Sequence, residues 1–383
     1  MSESFAEEHW QQLAELRRCP VGRTDLYGGL WILARYDDVL NAARDWQTYS
    51  SSDGSSPVPL QTGGSVKLMP ISTDPPFQRD LRKLIDRHFG ARLMPAAEPA
   101  TRAIALELFA AFEGRGECEF MTEFALKFPA YSFFNYAFGV PPQTSTAVMG
   151  WLDDILAAPH RAAESVQAFF GWTRSLLDER RHGEPRDDVL SSLLTGTVEG
   201  RELTDDERGM VLMNLVIGGV DTTALAIGNI VHHLATAPDL RRRLDEDRSL
   251  IPAAVEEFLR FEPPNSLRGR SVTCPVDVNG VHLAPRDRVV LAYGAANRDP
   301  DKYESPDELV IDRFTAPVPA HMTFGAGPHR CPGSHFARME IAVATNLVLD
   351  RLQDLELAIE EVTYTAGLTR GPRSLPVTFS PPS

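Results

Sequence analysis

Between Thr204 and Ala237 the chain carries a stretch that reads as one long helix, and this segment limits what the rest can become. Thr204, followed three residues later by Glu207, forms a capping box in which each side chain serves the other's backbone N–H. Pro238, with no N–H to continue the ladder, stops the helix. At about 1.5 Å per residue such a helix is on the order of 50 Å long, enough to cross a whole domain. Its middle, Met210 to Val231, is apolar enough to raise the question of a membrane span. It carries Asn214, Asp221, Thr222, Thr223 and Asn229, however. A lone span with a charge near its centre is costly, so the segment is expected to be a buried helix.

Helical patterns also dominate from Pro75 to Leu194, with a polar break at His182 to Asp188. A further helix starts near Pro252, and a last one after Gly333. Smaller β signals flank them. Gly28-Gly29 sits between short apolar runs, and the β-branched segments around Asn279-Gly280 and Pro285-Arg286 read as hairpins, as does the tail from Thr363. The stretch from Ser50 to Gly64, rich in Ser, Pro and Gly, reads as a loop. No repeat or linker divides the chain, so the expectation is a mainly α fold with a smaller β portion, residues 1–383 forming a single domain. The formal charge of -15 argues against a nucleic-acid partner, which needs a basic stripe. The four cysteines show no paired spacing, and the first residues hold no basic stretch followed by an apolar run. Both point to the cytoplasm and to no membrane.

The chemistry is concentrated in Phe324 to Gly333, FGAGPHRCPG. Its glycines allow a tight turn and close approach to a flat ligand. Cys331 lies just ahead of a helix N-terminus, where partial positive charge favours a thiolate over a thiol. Taken alone, Cys331 reads as a buried structural cysteine. A zinc site from His329, Cys331 and His335 lacks a conventional fourth ligand. Haem-thiolate ligation uses every residue of the segment. Phe324, Gly325, Gly327, His329, Cys331 and Gly333 match all six fixed positions of the cytochrome P450 signature, and the segment resembles that family's soluble bacterial members.

The resemblance recurs along the chain. Glu257 and Arg260, three apart on one helical face, stand in the family's order ahead of Asp312-Arg313-Phe314. It implies an internal ion network of Glu257, Arg260 and Arg313. GGVDTT, Gly218 to Thr223, looks like the family's oxygen-activating groove, with Gly218-Gly219 where Ala-Gly is common. Helix glycines cost roughly 1 kcal/mol each relative to alanine, so something there needs space. An acid followed by an alcohol suits proton relay, which makes Asp221 and Thr222 the expected catalytic pair. DPPFQRDLR, Asp74 to Arg82, resembles the segment carrying a propionate contact, with Arg82 at the arginine position and Gln78 where many members have histidine. Arg270 and His329 match the other propionate partners. Phe324 and Gly218 complete the cofactor-binding residues on the same resemblance.

The resemblance thus implies a cytochrome P450-like fold, with heme b (iron protoporphyrin IX) between the long central helix and the Cys-loop helix. Cys331 would be the metal ligand. The implied activity is a monooxygenase that activates O2. No flavin or iron–sulfur motif is visible, so electrons are expected from a ferredoxin-type donor with its reductase, meeting Arg330 and Arg338. Leu68, Val216 and Ile217 are expected to line an apolar pocket, with Asn214 as a polar contact; Arg268 either pairs with an anionic substrate or, the favoured reading, points to solvent. Val66 stands where one family member has a substrate-bonding tyrosine. The substrate is expected to be a mainly apolar terpenoid, aromatic compound or natural-product intermediate. The alternatives are a non-catalytic haem sensor or redox protein and a peroxide-driven oxygenase. The intact Asp221-Thr222 pair argues against both.

Overall fold

The structure is a computed structural model that describes residues 8–56, 67–157, 160–184, 186–365 and 368–381. The N-terminal part is α1 (His9–Arg18), the hairpin β1 (Gly22–Thr24) and β2 (Leu30–Leu33), α2 (Tyr36–Arg44) and β3 (Tyr49–Ser50). The expected loop from Ser50 is described only as far as Ser56. Next come α3 (Phe77–Asp86), α4 (Met94–Ala110), β4 (Glu117–Glu119), α5 (Lys127–Phe133), α6 (Thr144–Ala157), α7 (Ala162–His182) and α8 (Val189–Thr195). A short hairpin, β5 (Thr197–Val198) and β6 (Arg201–Glu202), leads into the central helical segment.

The central segment is close to the one long helix expected: α9 (Asp205–Gly219) and α10 (Asp221–Thr236) are interrupted only at Val220, which is distorted but stays in the right-handed helical region at φ -100 and ψ -67. The hydroxyls of Thr222 and Thr223 donate back to the carbonyls of Gly218 and Gly219, at 2.8 and 3.3 Å. Such back-bonding competes for the carbonyls of the helical ladder and bends helices. At the other end the capping box is as read. The Thr204 hydroxyl accepts from the Glu207 N–H at 3.2 Å, and the Glu207 carboxylate accepts from the Thr204 N–H at 2.8 Å.

Beyond it lie α11 (Pro238–Glu246), α12 (Ile251–Phe261), β7 (Leu267–Val272), β8 (Val276–Val278), β9 (Val281–Leu283), β10 (Arg288–Ala292) and α13 (Tyr293–Ala296). The chain ends with α14 (Ser334–Arg351), β11 (Gln353–Leu357) and β12 (Pro376–Ser380). One sheet runs in the order β1-β2-β10-β7-β3, parallel only between β2 and β10, and a second runs β11-β12-β4. Asn279 and Gly280, both at positive φ, close the β8–β9 hairpin, as a tight primed turn requires. In the tail, Tyr364 pairs with Pro372 in the expected hairpin. The main core gathers α3 to α5, α9, α10, α12 and α14, and a smaller one lies under the first sheet.

The ion network lies inside this core. Glu257 and Arg260 are both 0% exposed, and Arg260 Nε and Nη2 donate to the Glu257 carboxylate at 2.7 and 2.8 Å. Arg313 Nε joins at 3.0 Å. Arg260 also donates to the carbonyls of Asn297, Pro306 and Glu308, fastening an irregular segment to α12. Asn297 in turn bonds the Met322 N–H and the Thr323 hydroxyl, where the Cys loop begins.

Candidate active site

The Cys loop is held from several sides. The Cys331 N–H donates to the Phe324 carbonyl at 2.8 Å, which closes the loop on itself. Gly327 sits at φ +65, and a Cβ there would lie 2.4 Å from the Ala43 carbonyl, so the loop can rest on the end of α2 only as glycine. Arg338 clamps the start of α14. Its guanidinium lies over the Phe324 ring at 4.3 Å and donates to Glu256 at 2.5 and 2.7 Å. Arg338 is thus paired within the molecule while keeping part of its side chain accessible, and Arg330 is exposed.

Cys331 is half-buried, with part of its surface accessible. Cys118 is buried, and Cys19 and Cys274 are exposed. Burial pushes the Cys331 thiol up, against the Gly333 N–H bonded to the sulfur and the charges of Arg82, Arg330 and Arg338. The helix terminus therefore does not by itself prevail over desolvation. A metal ion would, because coordination deprotonates a thiol outright. Among the described residues no group of three or more His, Cys, Asp or Glu side chains could hold a metal ion, so the zinc arrangement is not built.

The central helix also keeps accessible surface in its middle. Around the Val220 interruption, Ile217, Gly218, Gly219, Asp221 and Thr222 keep accessible surface, while Leu215, Val216, Val220 and residues 223–231 are buried. A Cβ on Gly218 would meet nothing within 4 Å, so the space expected at this glycine exists. Val216 has no accessible surface and packs in the core, which removes it from the expected pocket lining, whereas Leu68 and Ile217 are partly accessible. Val66 lies outside the described residues. The carboxyl of Asp221 is raised to about 6, first by burial and then by the negative charge of Asp153 on α6. No cation among the described residues lies within ion-pair distance of it.

The residues read as propionate partners converge near Pro328. Gln78 Nε2 and Arg82 Nη1 donate to its carbonyl at 2.6 and 3.1 Å, and Arg82 Nε pairs with Asp86 at 2.6 Å. His329 Nε2 is buried without a hydrogen-bond partner, its nearest acid being Asp74 at 3.9 Å. Arg270 is 2% exposed and donates to the carbonyl of Gly269 at 2.7 Å, with no carboxylate in reach among the described residues. Arg268 is half-buried rather than fully turned to solvent, and desolvation lowers it to about 10. Tyr293, Arg270 and Cys331 are the groups that act on its charge. A half-buried thiol, an orphaned imidazole nitrogen and guanidinium groups without acids fit an iron porphyrin with two carboxylates.

Sequence reasoning missed Asp153, Glu256 as the partner of Arg338, and Glu340 on α14. Glu340 is 0% exposed, and burial pushes its carboxyl well up. Its one signal was an acid within an apolar helical run.

A sequence profile described as cytochrome P450 matches residues 131–358. A vitamin D(3) 25-hydroxylase of Pseudonocardia autotrophica is 36% identical, over 93% of this chain and 89% of its own. Cytochrome P450 107B1 of Saccharopolyspora erythraea is 31% identical, over 98% of this chain and 96% of its own. Among solved structures, a cytochrome P450 of Chondromyces apiculatus superimposes with a TM-score of 0.88 at 30% identity, covering 100% of this chain and 98% of that one. P450BioI, solved in complex with a hexadec-9Z-enoic acid ligated acyl carrier protein, gives 0.89 at 28% identity, covering 99% of each. The chain belongs to the cytochrome P450 family and is a monooxygenase whose cofactor is heme b.

Proposed function

We propose that this chain hydroxylates or otherwise oxidises a mainly apolar small molecule, with electrons from an external ferredoxin-type donor and its reductase. The observation that carries the reading is the accessible stretch of the central helix, Ile217 to Gly219 with Asp221 and Thr222, within an otherwise buried segment, in a chain whose Cys331 also keeps accessible surface. The names of the relatives support an apolar substrate, since they include a vitamin D(3) hydroxylase and a steroid C26-monooxygenase. Four free cysteines are in keeping with a reducing cytoplasm.

In this reading Cys331 holds the iron. Arg82 and Arg270 meet the propionates as cations, and His329 and Gln78 meet them as hydrogen-bond donors. Phe324 and Gly218 shape the two sides of the slot. Heme b, when bound, supplies the centre at which O2 is activated. Asp221, poised near neutrality, takes a proton from solvent and passes it inward. The Thr222 hydroxyl, now bonded to the Gly218 carbonyl, turns to hand that proton on. The donor approaches the face bearing exposed Arg330.

The test is the spectrum of the reduced, carbon monoxide-bound protein, followed by turnover with a ferredoxin system and with peroxide alone. A strongly red-shifted Soret band and ferredoxin-dependent product are expected. An imidazole-like band, or product from peroxide only, would overturn the reading.

A further inference from the structure

Two neighbouring guanidinium groups on β7 have no acid partner among the described residues. Arg208, Arg260 and Arg298, all buried, each hold a carboxylate: Asp205, Glu257 and Asp307 respectively. Buried Arg270 is the exception, and half-buried Arg268 beside it also pairs with none. They lie two apart on β7, and alternation along a strand turns both side chains to one face. Arg268 donates only to the carbonyl of its own neighbour Leu267, at 3.3 Å, and no carboxylate among the described residues lies within ion-pair distance. Arg270 stands beside it as a like charge. With Arg82 and Arg270 assigned to the two propionates, no carboxylate is left for Arg268 among the described residues or on the cofactor.

We infer that Arg268 anchors an anionic group of the substrate, which is therefore an amphipathic carboxylic acid rather than a wholly apolar molecule. A planar guanidinium takes a carboxylate through two parallel N–H donors. One end of the substrate would be fixed at β7, and its apolar body would lie towards Ile217, Gly218 and Leu68. Oxidation would then fall at a carbon set back from the acid by the span between Arg268 and the iron. This inference rests on the proposed haem placement, and it adds a chemical class to the substrate of that site.

The experiment titrates the ferric haem-loaded protein at pH 7.5 with matched pairs, each a carboxylic acid and its methyl ester. The scaffolds are dodecanoic, 4-phenylbenzoic and abietic acid, read by the spin-state change and independently by equilibrium dialysis. On at least one scaffold the acid is expected to bind at least tenfold more tightly than the ester. That preference falls below about twofold in Arg268→Gln and is partly kept in Arg268→Lys. Haem content of the Gln variant is expected to match the parent. Absence of acid preference on every scaffold, or its persistence in Arg268→Gln, overturns the inference. Loss of haem in proportion to the substitution also overturns it, since Arg268 then serves a propionate. The carbon monoxide spectrum of the same preparations judges the haem-thiolate reading separately, and dialysis reads acid preference whatever that spectrum shows.

Discussion

Replacing Glu257 by glutamine removes one charge from the network that fastens the Cys loop and leaves the volume unchanged. The carboxylate accepts from Arg260 at 2.7 and 2.8 Å, from Arg313 at 3.0 Å and from the Val310 N–H at 2.9 Å, all out of water. The amide keeps one acceptor oxygen and turns an NH2 group towards a guanidinium. Removing one partner of a buried ion pair costs about 3–5 kcal/mol, because the remaining charge stays desolvated. Unfolding entropy is roughly 2.1 cal/mol/K per residue, so a chain of this length loses about 1.2 °C per kcal/mol, and Glu257→Gln should melt about 4–6 °C lower. The control is Arg243→Gln, which breaks the exposed Arg243–Asp312 pair (52% and 38% exposed) and should move the midpoint by less than about 1 °C. Calorimetry at one scan rate and matched haem loading compares the two, since large chains unfold irreversibly. A shift for Glu257→Gln no larger than the control would refute the reasoning. Lower haem retention should accompany the loss, because Arg260 steadies Asn297 and, through it, the start of the Cys loop.

The folded pKa of Asp221, about 6, lies above its unfolded value, so its stabilising contribution is complete below about pH 3.8 and lost as pH rises through 6. Asp221→Asn should therefore be more stable than the parent by on the order of 2–3 kcal/mol at pH 8 and converge with it near pH 4. Unfolding at both pH values checks this, and an equal gain at both would contradict it. Thr222→Ala should raise the peroxide released per electron pair relative to product, and unchanged coupling of reductant to product would count against its proton-relay role. Glu340, pushed well up by burial, is expected to be protonated at pH 7, so Glu340→Gln should leave the melting midpoint within about 1 °C there. As pH rises the parent alone should lose stability. A fall at pH 7 in the variant would mean that the carboxylate is charged in the folded protein.

Local chemistry made much of this legible before any coordinates. Thr204 and Glu207 announce a cap, Asn279-Gly280 a tight hairpin, and the Cys331 segment a ligand loop. In each case the residues that form the feature are neighbours in sequence. Glu257 and Arg260 share a helical face, so only Arg313 had to be supplied by resemblance. What escaped depends on partners far along the chain or on phase. Arg338 looked free because Glu256, which holds it, lies 82 residues away. Arg268 looked like a surface residue because its direction is set by the pairing of β7 with β10 and β3, not by its neighbours. Val216 was placed in the pocket, but the helix turns it into the core and exposes the next residues instead. The interruption at Val220 follows from where two threonine hydroxyls find acceptors, a choice that an apolar pattern does not encode.

The distribution of the cysteines gives the protein a built-in gauge of cofactor loading. Cys19 and Cys274 are open to any alkylating reagent, Cys118 is sealed in the core, and Cys331 is half-buried. A small maleimide should thus modify two thiols in fully loaded protein and approach a third only in molecules whose iron site is vacant. Counting labels by intact mass then reports the occupied fraction molecule by molecule, without light absorption and without turnover.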